Sequence, residues 1–133
     1  MARQEAPHPA SSAMLMCDFA IREEGTGKVN LIGIFDTIFA TQFPVVHPRL
    51  SVYVRLTDAE GEYEFKLEMV RLEDEKAVGE GRVQATIGDR MGSHELIFNL
   101  GNLVFERPGR YEFRLFGNQK YIGRAVFRVV QKS

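Results

Sequence analysis

The chain has 133 residues, 44% hydrophobic and 26% charged, with a formal net charge of −1. One domain is expected at that length, able to bury about two-thirds of its unfolded surface without covalent staples. The balance excludes a disordered tail, a collagen-like chain and a small disulfide scaffold, and it gives no global attraction to nucleic acid or to a membrane surface.

Residues 1–13 are polar, carry Pro7 and Pro9, and read as a flexible N-terminal tail ahead of a single domain over 14–133. They lack the apolar stretch of a secretory signal, and no run in the chain approaches the ~20 apolar residues of a membrane-spanning helix. Cys17 is the sole cysteine. It can form no intramolecular disulfide and excludes a multi-cysteine zinc site. A free thiol without bridges fits a reducing, cytoplasmic setting, and the run around Cys17 makes it a buried strand residue.

From there period two dominates. Turn clusters such as Glu24-Gly25-Thr26-Gly27, Asp58-Ala59-Glu60-Gly61 and Arg107-Pro108-Gly109 separate short runs rich in Val, Ile, Phe and Tyr. The spacing predicts strands over 14–22, 28–39, 50–57, 62–72, 78–87, 94–100, 110–116 and 120–130, the pattern of an all-β sandwich. Pairing Cys17 with Phe35, Phe19 with Gly33 and Ile21 with Leu31 gives the first hairpin one wholly apolar face, expected to be its core face. Its opposite face would carry Met14, Met16, Ala20, Ile32, Ile34 and Ile38, interrupted by Asp18 and Asp36. A face so apolar is expected to be covered.

The segment 42–48 contains Pro44 and Pro48 and reads as a crossover between sheets or an edge segment. Leu50, Val52, Val54 and Leu56 then point one way, as do Tyr63, Phe65, Leu67 and Met69. After Met69 the apolar phase slips to Val70 and Leu72, which predicts a β-bulge near Met69-Val70 or a strand that changes sheets there. In the closing hairpin a three-residue loop over 117–119 would set Leu115 against Tyr121, Phe113 against Gly123 and Glu112 against Arg124, with a left-handed residue at Asn118 or Gln119.

Candidate chemistry is sparse. No nucleophile elbow and no phosphate loop is present, and no cofactor is implied. His47 and His94 are separated in sequence and read as surface residues rather than metal ligands. Asp18 and Asp36 could act as an acid–base carboxylate pair in a small hydrolase, or serve as solvated charges that discourage edge pairing. Residues 58–100 hold five Lys and Arg against eleven Asp and Glu; residues 101–133 hold seven against two. The asymmetry suits two hairpins that complement each other, or an anion-binding face built from Arg114, Arg124 and Arg128.

Two resemblances add to this reading. Arg107-Pro108-Gly109-Arg110-Tyr111 is similar to the entry of a late strand in immunoglobulin-like sandwiches, where a tyrosine bonds back to the corner. The run Asn30-Leu31-Ile32-Gly33-Ile34-Phe35-Asp36, with Phe43-Pro44 and His47-Pro48, resembles an uncharacterised family of small bacterial proteins, a domain of unknown function, over roughly residues 13–130. That likeness implies a single-domain sandwich and brings no catalytic residues. The expectation is an immunoglobulin-like, two-sheet antiparallel β-sandwich of seven to nine strands. Its expected role is that of a non-catalytic binding or assembly module, forming a two-fold homodimer through Met14, Met16, Ile32, Ile34 and Ile38.

Overall fold

The computed structural model describes residues 6–133, and every regular element among them is a strand. These are β1 (Ala10–Arg22), β2 (Val29–Ile34), β3 (Thr37–Ala40), β4 (Val45–Thr57), β5 (Gly61–Arg71), β6 (Lys76–Ile87), β7 (His94–Phe105), β8 (Gly109–Gly117) and β9 (Lys120–Gln131). They form a four-stranded sheet ordered β2-β1-β4-β7 and a five-stranded sheet ordered β3-β9-β8-β5-β6. The fold is therefore an all-β sandwich of nine strands. Adjacency of β4 with β7, and of β8 with β5 and β9, repeats the neighbour relations of immunoglobulin domains. One pair departs from the all-antiparallel expectation: β3 runs parallel to β9.

The core follows from the alternation. Leu50, Val52, Val54 and Leu56 of β4 share one apolar cluster with Tyr63, Phe65, Leu67 and Met69 of β5. Beside them Phe105, Tyr111, Phe113 and Phe127 pack ring on ring, with 4.9 Å between the Phe113 and Phe127 centroids. The β5–β6 register shifts between Met69 and Val70, which is the bulge expected there. The Tyr111 hydroxyl donates to the Arg107 carbonyl at 2.7 Å, closing the corner that the Pro-Gly-x-Tyr run implied.

Several boundaries differ from the sequence reading. Met1–Glu5 of the expected tail lie outside the described residues. Ala10–Ala13, also assigned to the tail, belong to β1 and pair with β4. Ahead of them the Pro7 carbonyl accepts the Tyr63 hydroxyl at 2.6 Å. The single strand expected over 28–39 divides into β2 and β3, which enter opposite sheets. Residues 41–44 make the crossover between sheets, but Val45–Arg49 are already β4 and pair with β7. Pro48 is tolerated because β1 flanks β4 only from Ser51 onward.

The closing turn holds two residues rather than three. Asn118 and Gln119 are both left-handed, at φ 47° and 71°, and Gly117 pairs with Lys120. Asn118 holds this geometry by bonding across to β5. Its Oδ1 accepts the Glu64 amide at 3.0 Å and its Nδ2 donates to the Glu62 carbonyl at 3.2 Å. A bulge between Leu115 and Phe116 keeps the expected faces while moving each partner two residues along: Phe113 meets Ala125 and Leu115 meets Gly123.

Candidate functional site

Of the large apolar side chains exposed among the described residues, Leu15, Phe19, Ile21, Ile32 and Ile34 lie on the first hairpin. β1 changes partner at Cys17: Ala10–Cys17 pair with β4, and Cys17–Arg22 pair with β2. The register sets Cys17 against Ile34, Phe19 against Ile32 and Ile21 against Asn30, one residue from the expected one. A slip of one residue turns a strand's side chains to the other face. Met16, opposite the core residue Val52 of β4, and Ile38, on β3 of the other sheet, are core residues at 4% and 6% exposure, and Met14 packs against that core. These three leave the expected interface. Ile32 and Ile34 stay on it, at 48% and 57% exposure, now beside Phe19 at 41% and Ile21 at 50%.

The hairpin does not simply continue the sheet. Glu95 of β7 pairs with Arg55 of β4, which pairs with Ala13 of β1. A straight β1 would carry Arg22 about 30 Å beyond that row, at ~3.3 Å per residue. Yet the Arg22 guanidinium lies 3.7 Å from the Glu95 carboxylate, so the ribbon bends back over the outer face of the four-stranded sheet. Arg49 stacks its guanidinium 3.9 Å from the Phe19 ring centre. Glycine permits the bend: Gly33 has φ +71°, and a Cβ there would stand 2.3 Å from Oδ2 of Asp18 on the facing strand.

The fold-back explains the burial beneath it. Cys17 and Ser51 lie on the outer face yet are 0% and 4% exposed. The Cys17 thiol donates to the Phe19 carbonyl at 3.2 Å. Burial, then the neighbouring charge of Asp18, pushes its pKa up, which makes it a packed and unreactive thiol. Tyr53 donates its hydroxyl to Glu95. Burial first, and this bond second, push its pKa up to about 12. Ala20, Val29 and Leu31, on the hairpin face that carries Arg22, are half-buried.

Other candidates are placed less productively. Asp18 and Asp36 are both exposed; Asp18 lies across Gly33, whereas Asp36 accepts the Thr37 hydroxyl at 2.9 Å. His47 and His94 sit near opposite ends of the β4–β7 ladder, opposite Leu103 and Leu56. Among the described residues no group of three His, Cys, Asp or Glu side chains could hold a metal ion. Arg114 and Arg124 both bond Glu112, and Arg128 Nε donates to Thr37 Oγ1 at 3.2 Å.

A second charged cluster braces the β5–β6 turn. Arg71, 5% exposed, donates Nε and an Nη to the two oxygens of Asp74 at 2.9 and 2.7 Å, and Arg107 adds a bond at 3.1 Å. The Arg71 hydrogen bonds lower the Asp74 pKa to about 2. An unfolded aspartate titrates near ~3.9, so this contribution is complete above about pH 4 and is lost as the pH falls through about 2. Asp74→Asn is expected to flatten the acid limb of a urea-midpoint titration over that window. An unchanged limb would show that the pairing adds nothing to stability.

The fold and this surface define an immunoglobulin-like β-sandwich with a hairpin bent across one sheet. The chain belongs to a family of unknown function, DUF6941, whose model matches residues 12–130, hence all of the hairpin that folds back and nearly all of both sheets. No curated protein matches the chain. No helix of the described residues is long and apolar enough to cross a membrane. The apolar row was partly legible in the sequence as Ile32 and Ile34. Phe19 and Ile21 were missed because they were given to the core face.

Proposed function

We propose that the protein is a non-catalytic binding or assembly module of a reducing cytoplasm that associates with a second copy of itself through the β1–β2 hairpin. The observation that carries this reading is the exposure of Phe19, Ile21, Ile32 and Ile34 on one hairpin face. Each such side chain gains about 1.5–3 kcal/mol when fully buried, so covering four of them half-exposed still yields several kcal/mol. A monomer would leave them as an aggregation-prone patch, and closed two-fold dimers are the commonest way to cover one. For the carboxylate-pair alternative, Asp18 lies across Gly33 and Asp36 accepts the Thr37 hydroxyl, and among the described residues no hydrogen bond links the two aspartates. The anion-binding alternative would have to compete with Glu112 for Arg114 and Arg124.

Sedimentation at micromolar concentration is the test. The wild-type chain is expected to run as a dimer. Ile34→Asp is expected to weaken association at least about tenfold while melting where the wild type does, because Ile34 is 57% exposed. A wild-type chain that stays monomeric and soluble there overturns the reading.

A further inference from the structure

We infer that Arg110 and Arg128 form a site for a phosphate monoester on the outer face of the five-stranded sheet. This site is independent of the hairpin. β8 and β9 set Arg110 opposite Arg128 and Arg114 opposite Arg124. The Arg110 carbonyl is turned to β5, where it accepts the Leu72 amide, and the Arg128 amide is turned to β3, where it donates to the Asp36 carbonyl. No backbone bond therefore joins Arg110 to Arg128. A pair of that kind brings its Cα atoms to about 4.5 Å and its side chains closest together. Like charges so placed repel.

The second arginine row carries its own answer. Glu112 accepts from both Arg114 and Arg124, and Glu75 accepts from Arg114 at 2.7 Å. Two guanidinium groups thus meet two carboxylates. The first row has no such answer, for among the described residues neither Arg110 nor Arg128 has a carboxylate partner. Both are exposed. Arg128 Nε donates to Thr37 Oγ1, which leaves its two Nη groups for a ligand. The carboxylates nearby are committed elsewhere: Glu73 to Arg107, and Asp74 to Arg71 and Arg107. Asp36 accepts the Thr37 hydroxyl and offsets part of the Arg128 charge from there. Nothing comparable faces Arg110.

The second row shows what the first lacks: two negative charges on oxygens that two guanidinium groups can share. A phosphate monoester carries about −1.5 to −2 at neutral pH and three acceptor oxygens, and the arginine fork matches it bidentately. A single carboxylate supplies only one charge. The rest of the face limits the size of the ligand. Glu62, Glu64 and Glu68 alternate with the inward side chains of β5, and Glu80 stands opposite Glu68. Lys66 and Arg82, paired on the same face, offset only half of these charges. An extended anionic surface, such as a membrane, would be repelled there; one phosphate group beside β3 is not.

The experiment follows the arginine Nε–H resonances of the full chain by NMR, with glycerol phosphate as probe and acetate as comparison at equal ionic strength. Arg110 and Arg128 are expected to saturate with glycerol phosphate at a concentration at least about tenfold lower than with acetate. Arg110→Met and Arg128→Met are each expected to weaken phosphate binding about fivefold, as loss of an exposed charged contact does. Arg90→Met removes the same charge from an exposed turn residue and is expected to leave binding unchanged. A peptide with one phosphoserine identifies the source: tighter binding than glycerol phosphate assigns the ester to a protein chain, and equal binding to a small molecule, and either supports the site. Equal affinity for acetate and glycerol phosphate, or an equal loss in Arg90→Met, overturns it. Binding to vesicles containing phosphatidic acid without binding to glycerol phosphate overturns it as well.

Discussion

Phe127→Ala is expected to destabilise the sandwich by about 3–5 kcal/mol, the range for truncating a buried aromatic ring. Phe127 is 2% exposed. Its ring stacks on Phe113 at 4.9 Å and on Tyr111 at 5.6 Å, and meets Phe105 nearly edge-on at 6.1 Å. Those partners come from β7 and β8, so one ring joins the two sheets. β9 also lies between β8 and β3, with Thr37 paired to Arg128 next to the lost ring. Three rings cannot collapse together into the vacated space without moving a strand, which places the cost in the upper part of the range. Phe127→Leu keeps most of the volume and is expected to cost much less. Urea unfolding with an unchanged slope checks both; an alanine variant within about 1 kcal/mol of the wild type would show that the rings repack freely.

Tyr111, Phe113 and Phe127 were legible because their inward positions follow from the parity of the strands expected over 110–116 and 120–130; Phe105 was not, because the strand expected at 94–100 runs on to Phe105. The same rule misplaced the first hairpin. It assigns the more apolar face to the core, which holds only where a strand stays in its sheet. β1 leaves its partner β4 after Cys17 and turns outward, so Phe19 and Ile21 are apolar without being interior. The cause is visible at Gly33, left-handed and crossed by Asp18. In the sequence, though, a glycine between two isoleucines reads equally well as a gap in a strand. The two-residue closing turn was missed for a similar reason. Gln119 is an unusual left-handed residue, and the bonds from Asn118 to β5 that hold the turn join residues more than fifty positions apart. Charge asymmetry between the last two segments was legible as composition, and the structure resolves it into contacts such as Arg114 with Glu75 at 2.7 Å.

Removing Arg114 and Arg124 together is expected to cost about 3–5 kcal/mol, because it strands a buried carboxylate. Glu112 is 2% exposed although it points to the outer face of the five-stranded sheet. Arg114 lies two residues along the same strand, and Arg124 stands diagonally across on β9, opposite Arg114. One carboxylate oxygen accepts the Arg114 Nε–H and the other accepts from Arg124 at 3.1 Å. Their stems cover the carboxylate while their guanidinium ends reach water, Arg124 with 61% of its side chain exposed. Either Arg114→Met or Arg124→Met alone leaves one charged donor in place and is expected to cost about 1 kcal/mol. The double variant should therefore lose more than the two singles combined, a coupling that a double-mutant cycle in urea measures. Additive losses would mean that water reaches Glu112 once one stem is gone. Adding Glu112→Leu to the double variant removes the stranded charge, and most of the lost stability is expected to return, since an apolar group of similar volume replaces an ion cluster at little net cost.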